Sequence, residues 1–219
     1  MRIFSVFCIG LLVAGCATKP PVPGWKANAH GALDSFSAAY LTGNTRIADQ
    51  EFSRARLEIS STGKGDLLAR AELVRCANRV ASLEFDQCAG YQPLAGDAGA
   101  IERSYAALLT GRWQDVDASV LPAQYRAVLA GAASSSSASV IGSIDDPLSR
   151  LVAAGVLLQA GAINPADITA ATETASEQGW RRPLLAWLGV QAQRARDGGD
   201  LAALARIERR IGLTSAPLK

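Results

Sequence analysis

The sequence predicts an all-α fold of antiparallel helical hairpins, stacked as a repeat array or gathered into an irregular bundle. Three observations predict it. Alanine and leucine are abundant while aromatic residues make up only 6%, and alanine loses no side-chain entropy on entering a helix. Apolar residues recur at spacings of three and four along most of the chain. No segment sustains the alternation of apolar and polar residues, closed by tight turns, that marks a hairpin of strands. With 219 residues, 49% of them apolar and 19% charged, the chain can bury a real core and does not have a disordered composition.

The N-terminus is organised differently. Arg2 precedes an apolar run from Ile3 to Ala14. A membrane-spanning helix needs about 20 apolar residues, so this run has the size of a signal-peptide core instead. Leu151–Ile163 is the longest later apolar stretch, and Gln159 with two glycines interrupts it. The run ends in Leu12-Val13-Ala14-Gly15-Cys16. This pentapeptide resembles the lipobox of bacterial lipoproteins, in which small residues let the backbone enter a protease cleft and the cysteine thiol accepts lipid. The resemblance implies that residues 1–15 are removed and that Cys16 carries a diacylglyceryl thioether and an acylated amine. Several acyl chains anchor a protein stably where one binds only marginally. Ala17, rather than Asp, follows the cysteine, which in enterobacterial lipoproteins implies the outer membrane, facing the periplasm.

Residues 16–27 carry three prolines and a glycine within Ala17–Lys26 and read as an extended tether. The helical domain is expected over residues 28–219. Ala48, Phe52, Ala55 and Ile59 form one helix face, and Leu73, Cys76, Val80 and Leu83 a second. Ile101, Tyr105 and Leu108 line a third helix. Asp145-Asp146-Pro147 is a strong helix start, a capping aspartate before proline in the first turn. Leu148, Leu151, Val152 and Gly155 follow on one face, then Trp187, Leu188 and Gln191, and finally Leu204, Ile207 and Ile211. Gly131–Gly142, with four consecutive serines, reads as a loop within one continuous helical array.

Ala39-Tyr40-Leu41-Thr42-Gly43-Asn44 is echoed at Ala107-Leu108-Leu109-Thr110-Gly111-Arg112, with the glycines 68 residues apart. That is twice the period of tetratricopeptide repeats, and Ala48, Phe52 and Ala55 are similar to the small, aromatic and small positions of their second helix. Val116, Val120 and Ala123 hold the same offsets after Gly111. Gln159-Ala160-Gly161 and Asp197-Gly198-Gly199-Asp200 read as two further turns between helices.

Composition and motifs narrow the chemistry. The formal charge of +2 falls to +1 once Arg2 leaves with residues 1–15, which offers no electrostatic footprint for nucleic acid. Once Cys16 is lipidated and Cys8 removed, Cys76 and Cys88 are the remaining thiols. In an oxidising periplasm they are expected to form a structural disulfide. No Cys-x-x-Cys is present to lower a thiol pKa. With His30 as the single histidine, the ligand set is too small for zinc, and no cofactor is expected. His30 reads as a surface or capping residue. Ser61-Thr62-Gly63-Lys64 matches the Ser-x-x-Lys of serine acyl-enzymes but lacks their companion motifs, and a turn explains it better. Gly63-Lys64-Gly65 lacks the first glycine and the hydroxyl residue of a phosphate loop. Arg181, Arg182, Arg194, Arg196, Arg206, Arg209 and Arg210 make the C-terminal region basic, with acids interspersed as on a solvated face. Trp180 and Trp187, seven apart, suit packing between helices.

No catalytic constellation emerges, so the expected function is binding. The chain reads as a scaffold or assembly partner for another envelope protein, attached to the membrane through Cys16. A hydrolase acting on peptidoglycan and a structural lipoprotein without discrete activity are the alternatives.

Overall fold

The computed structural model describes residues 23–132 and 139–215. The signal segment, Cys16 and the serine run at 133–138 lie outside the described residues. Nine α-helices and three short 3-10 turns make up the regular structure among the described residues, with no strand. None of these helices is long and apolar enough to cross a membrane.

Helix α1 (Gly24–Thr42) begins four residues before the expected boundary. Pro23, at φ −54°, already has the dihedral that a helix start requires, so the last residues assigned to the tether are helical. Ala29, Ala32, Phe36 and Tyr40 form its buried face. The helix closes at Gly43, whose φ of 93° only glycine adopts readily, and the amide of Asn44 reaches back to the Ala39 carbonyl at 2.8 Å. Asn44 then caps α2 (Thr45–Ser60) by accepting from the Ile47 amide. All four residues of the expected α2 face, Ala48, Phe52, Ala55 and Ile59, are buried.

Helix α3 (Gly65–Ala81) lies at the centre. It packs on α1, α2, α4 and α6. Leu73, Cys76 and Val80 are buried as expected, but Leu83 falls beyond the helix in a left-handed conformation and is only half buried. The Sγ atoms of Cys76 and Cys88 stand at bonding distance, 1.97 Å, and tie the segment after α3 back onto it. Helix α4 (Ala100–Leu109) is rotated from the expected register. Leu108 is buried, Tyr105 half buried, and Ile101 is 53% exposed, while Glu102 and Ala106 face inward.

The second tetratricopeptide-like unit is not completed. Gly111 does adopt a positive φ, as do Gly161 and Gly199. After Gly111, however, the chain makes a 3-10 turn over Trp113–Asp115, and Asp117 caps a local turn by accepting from the Ser119 amide. Helix α5 (Ala123–Ala132) starts only after Pro122, which cannot donate within a helix interior. Val116 and Val120 therefore lie on non-helical backbone. Helix α5 also takes in the first two residues assigned to the serine-rich loop, and Ile141–Ser143 forms a 3-10 turn at its far end.

The remaining helices, α6 (Pro147–Gln159), α7 (Pro165–Glu177), α8 (Arg181–Asp197) and α9 (Leu201–Ser215), pack in sequence as antiparallel neighbours. Asp146 caps α6 as expected, accepting from the Ser149 amide at 2.7 Å. Two contacts join distant parts of the chain, α3 with α6 and α1 with α8. An open repeat array touches only its neighbours, so these contacts favour the bundle. The main core runs through α3 to α8, and Ala69, Ala77, Ala106, Ala153, Ala154 and Ala171 let the helices approach closely. Helix α9 rests on α8 and has no buried residue.

Candidate functional site: a two-part apolar groove

Where α1 passes over α3, small side chains leave a slot. Ala29 of α1, Ile59 of α2 and Ala71 of α3 form a minor core of their own. Leu33 and Leu67 cover it only partly. The resulting cavity is open on one side, has a volume of about 340 Å³, and is walled almost entirely by apolar atoms. Trp25 closes the end where the chain enters. Lys26, His30, Asp34 and Arg70 stand around the slot.

A second trough of about 440 Å³ continues on the other side of Arg70, between α3, α4 and α5. Leu73, Ile101, Tyr105, Leu121 and Tyr125 line it. Arg70 and Val74 belong to both parts, so the two form one groove divided by the Arg70 side chain. Tyr105 and Tyr125 pack with ring centroids 5.6 Å apart and hydroxyls 3.4 Å apart. Burial pushes both phenols above their ordinary range.

Arg70 is held in place by Glu102, to which it donates from Nε (3.0 Å) and Nη2 (2.5 Å). Burial alone would raise the Glu102 pKa. The hydrogen bonds and charge of Arg70, with backbone donors, outweigh it and hold the carboxyl below the usual range. At the other rim, His30 Nδ1 lies 2.8 Å from Asp34 Oδ2, and both side chains are exposed. His30 is thus a surface residue nearly two turns into α1.

The other residues singled out in the sequence lie apart from this groove. Ser61 and Thr62 hydroxyls donate to carbonyls at the end of α2, Gly63 turns the chain with φ 66°, and Lys64 precedes α3. Trp187 is fully buried and donates to the Ala81 carbonyl, while half-buried Trp180 precedes the first residue of α8. The arginines of the basic C-terminal region differ in their surroundings, and Arg194, Arg206 and Arg209 are exposed. Arg182 reaches inward to Tyr40, Thr45 and Glu84, Arg210 pairs with Glu173, and Arg196 approaches Glu208. Cys76 and Cys88 are both buried at their bonding distance. Among the described residues no group of His, Cys, Asp or Glu is placed to hold a metal ion.

Sequence reasoning missed three buried acids. Glu72 is buried between Arg56 and Arg75, and the latter stacks 4.7 Å from the Phe52 ring centre. Glu102 meets Arg70, and Asp167 accepts from Ser139, Val140 and Ile141. The chain matches no protein-family model, no curated protein and no solved structure.

Proposed function

We propose that this chain is a lipid-anchored envelope protein that binds another envelope protein, and that it works by binding rather than by catalysis. The anchor would be Cys16, the setting the periplasmic face of the outer membrane. The observation that carries the binding role is the open trough between α3, α4 and α5. Ile101 stands 53% exposed at its edge beside Leu121, Pro122 and the paired tyrosines. In this Ala-rich chain, whose other large apolar residues mostly go into the core, a concave apolar surface of this kind is where an aromatic or aliphatic anchor of a partner would bury.

The test is crosslinking in intact cells, with Cys16→Ala and Ile101→Lys as variants. The proposal expects one dominant envelope partner, lost when lipidation is blocked and reduced when the trough carries a charge. No partner above background would overturn it. A partner captured equally by Ile101→Lys would move the interface away from the trough.

A further inference from the structure

The slot between α1 and α3 differs in chemistry from the trough beyond Arg70. Its wall offers almost no hydrogen-bonding atoms. The Ser37 hydroxyl, set in it, already accepts from Asn78. An extended peptide laid there would leave its backbone amides and carbonyls without partners, at a cost for each. A hydrocarbon chain has no such requirement.

The Asp34 carboxylate is engaged by His30, and that of Glu102 by Arg70. Lys26 forms no ion pair among the described residues, and Arg70 spends only Nε and Nη2 on Glu102, leaving Nη1 directed to no hydrogen-bond acceptor there. Lys26 and Arg70 Nη1 are therefore the cationic donors left at the mouth, beside the exposed Asp34 carboxylate. A volume near 340 Å³ lies at the low end of ligand pockets (about 300–1,000 Å³) and suits one chain rather than a pair.

We propose that the α1–α3 slot holds the acyl chain of a fatty acid, with its carboxylate between Lys26 and Arg70. Position supports the choice. Pro23, where the chain enters α1, follows Cys16 by seven residues, a reach of about 25 Å at most. If Cys16 is lipidated, the start of α1, beside which Trp25 borders the slot, stays within that distance of the bilayer surface. That proximity rests on the proposed anchor, whereas the chemistry of the slot does not.

Trp25 makes the idea directly testable, because it alone of the four tryptophans borders the slot. The chain from residue 17 onward, which retains every described element, is titrated with stearate brominated at mid-chain, below its aggregation concentration. Bromine quenches tryptophan fluorescence on contact. The expected result is saturable quenching at one fatty acid per chain, absent in Trp25→Phe and blocked in Val74→Trp. Lys26→Glu, which removes no internal ion pair, should weaken binding by up to about fivefold, the scale of one exposed charge pair.

Absence of saturable quenching, or quenching that persists in Trp25→Phe, would overturn the proposal. Binding unchanged in both Lys26→Glu and Arg70→Glu would overturn the carboxylate's placement. Quenching by vesicles of brominated phosphatidylglycerol but not by the free acid would assign the slot to bilayer contact instead. The assay contains neither anchor nor partner, so it fails or succeeds independently of the crosslinking experiment.

Discussion

Gly155 of α6 faces the backbone of Val80 on α3 so closely that a Cβ at Gly155 would stand 2.4 Å from the Val80 carbonyl oxygen. The two central helices meet backbone to backbone here, and neither can yield without moving the core. Gly155→Ala is expected to destabilise the fold by about 1–3 kcal/mol through overpacking, a Tm fall of roughly 2–12 °C for a chain of this size. Gly189 of α8, with open space around it, is the control. Gly189→Ala should be neutral or raise Tm slightly through helix propensity. Thermal unfolding by circular dichroism compares the two.

Arg182 joins three parts of the chain that are far apart in sequence. Its Nε donates to the Tyr40 carbonyl at 2.8 Å, Nη2 to the Thr45 hydroxyl at 2.7 Å, and Nη1 to Glu84 at 3.2 Å. The guanidinium also lies 4.2 Å from the Tyr40 ring centre. Arg182→Ala is expected to cost about 2–3 kcal/mol, and Lys should recover only part, since it lacks the planar fork. Burial first, then the neighbouring Glu84, raise the Tyr40 phenol well above its ordinary range. Absorbance titration should therefore find Tyr40 protonated at pH 10 in the native protein.

Removing the Cys76–Cys88 bond is expected to cost about 3 kcal/mol on the chain-entropy scale for a loop of this length. The Cys76→Ser, Cys88→Ser pair should show that loss in urea titrations, and the native protein should lose a similar amount in reductant. Mass spectrometry without reduction reads the bond itself. Two free thiols in native material would contradict the pairing.

The Arg70–Glu102 pair has a definite sign with pH. Because the Glu102 pKa is lowered in the folded state, its contribution is present above the unfolded carboxylate pKa and is lost as pH falls through the folded value. Glu102→Gln should therefore flatten the stability profile on the acid side, lower stability at neutral pH, where the wild-type contribution is present, and converge with the wild type at low pH. Arg70→Ala, which strands a buried carboxylate, should cost about 1–2 kcal/mol at pH 7. Urea midpoints measured between pH 3 and 7 distinguish the two variants.

Asp167 is fully buried in the first turn of α7, where it completes a capping box with Asn164. The same carboxylate accepts from the Ser139 hydroxyl and the Val140 amide, both at 2.8 Å, and from the Ile141 amide at 3.2 Å. Asp167→Ala should destabilise by about 2–3 kcal/mol. Hydrogen exchange should accelerate at residues 139–144 well before it does in α6.

Much of the helical pattern could be read in advance, because burial of a face leaves a period in the sequence. Ala48, Phe52, Ala55 and Ile59 are buried together, and Asp146 caps α6 where its proline follows. What escaped has physical reasons. Glu72, Glu102 and Asp167 look like solvated acids because each has a partner from another element, Arg56, Arg70 and the 139–141 segment. Ile101 fits a helical stripe equally well on the inner or the outer side of α4, and only packing decides. The echo at Gly111 correctly marked a turn. It could not show that Asp117 and Pro122 break the helix expected after it. The groove itself left no motif. Its slot half arises where Ala29 and Ala71 on two helices face each other, a shortage of volume that no single segment encodes.

Helix α3 walls both halves of that groove, and it is also packed on four other helices and tied by the cysteine pair. A ligand therefore meets a surface that is already in shape. Most of the ordering on association falls on the incoming molecule, and little on the protein. Calorimetry of any ligand of this groove should then show a negative heat-capacity change set by the apolar area covered, with no added contribution from folding of the host.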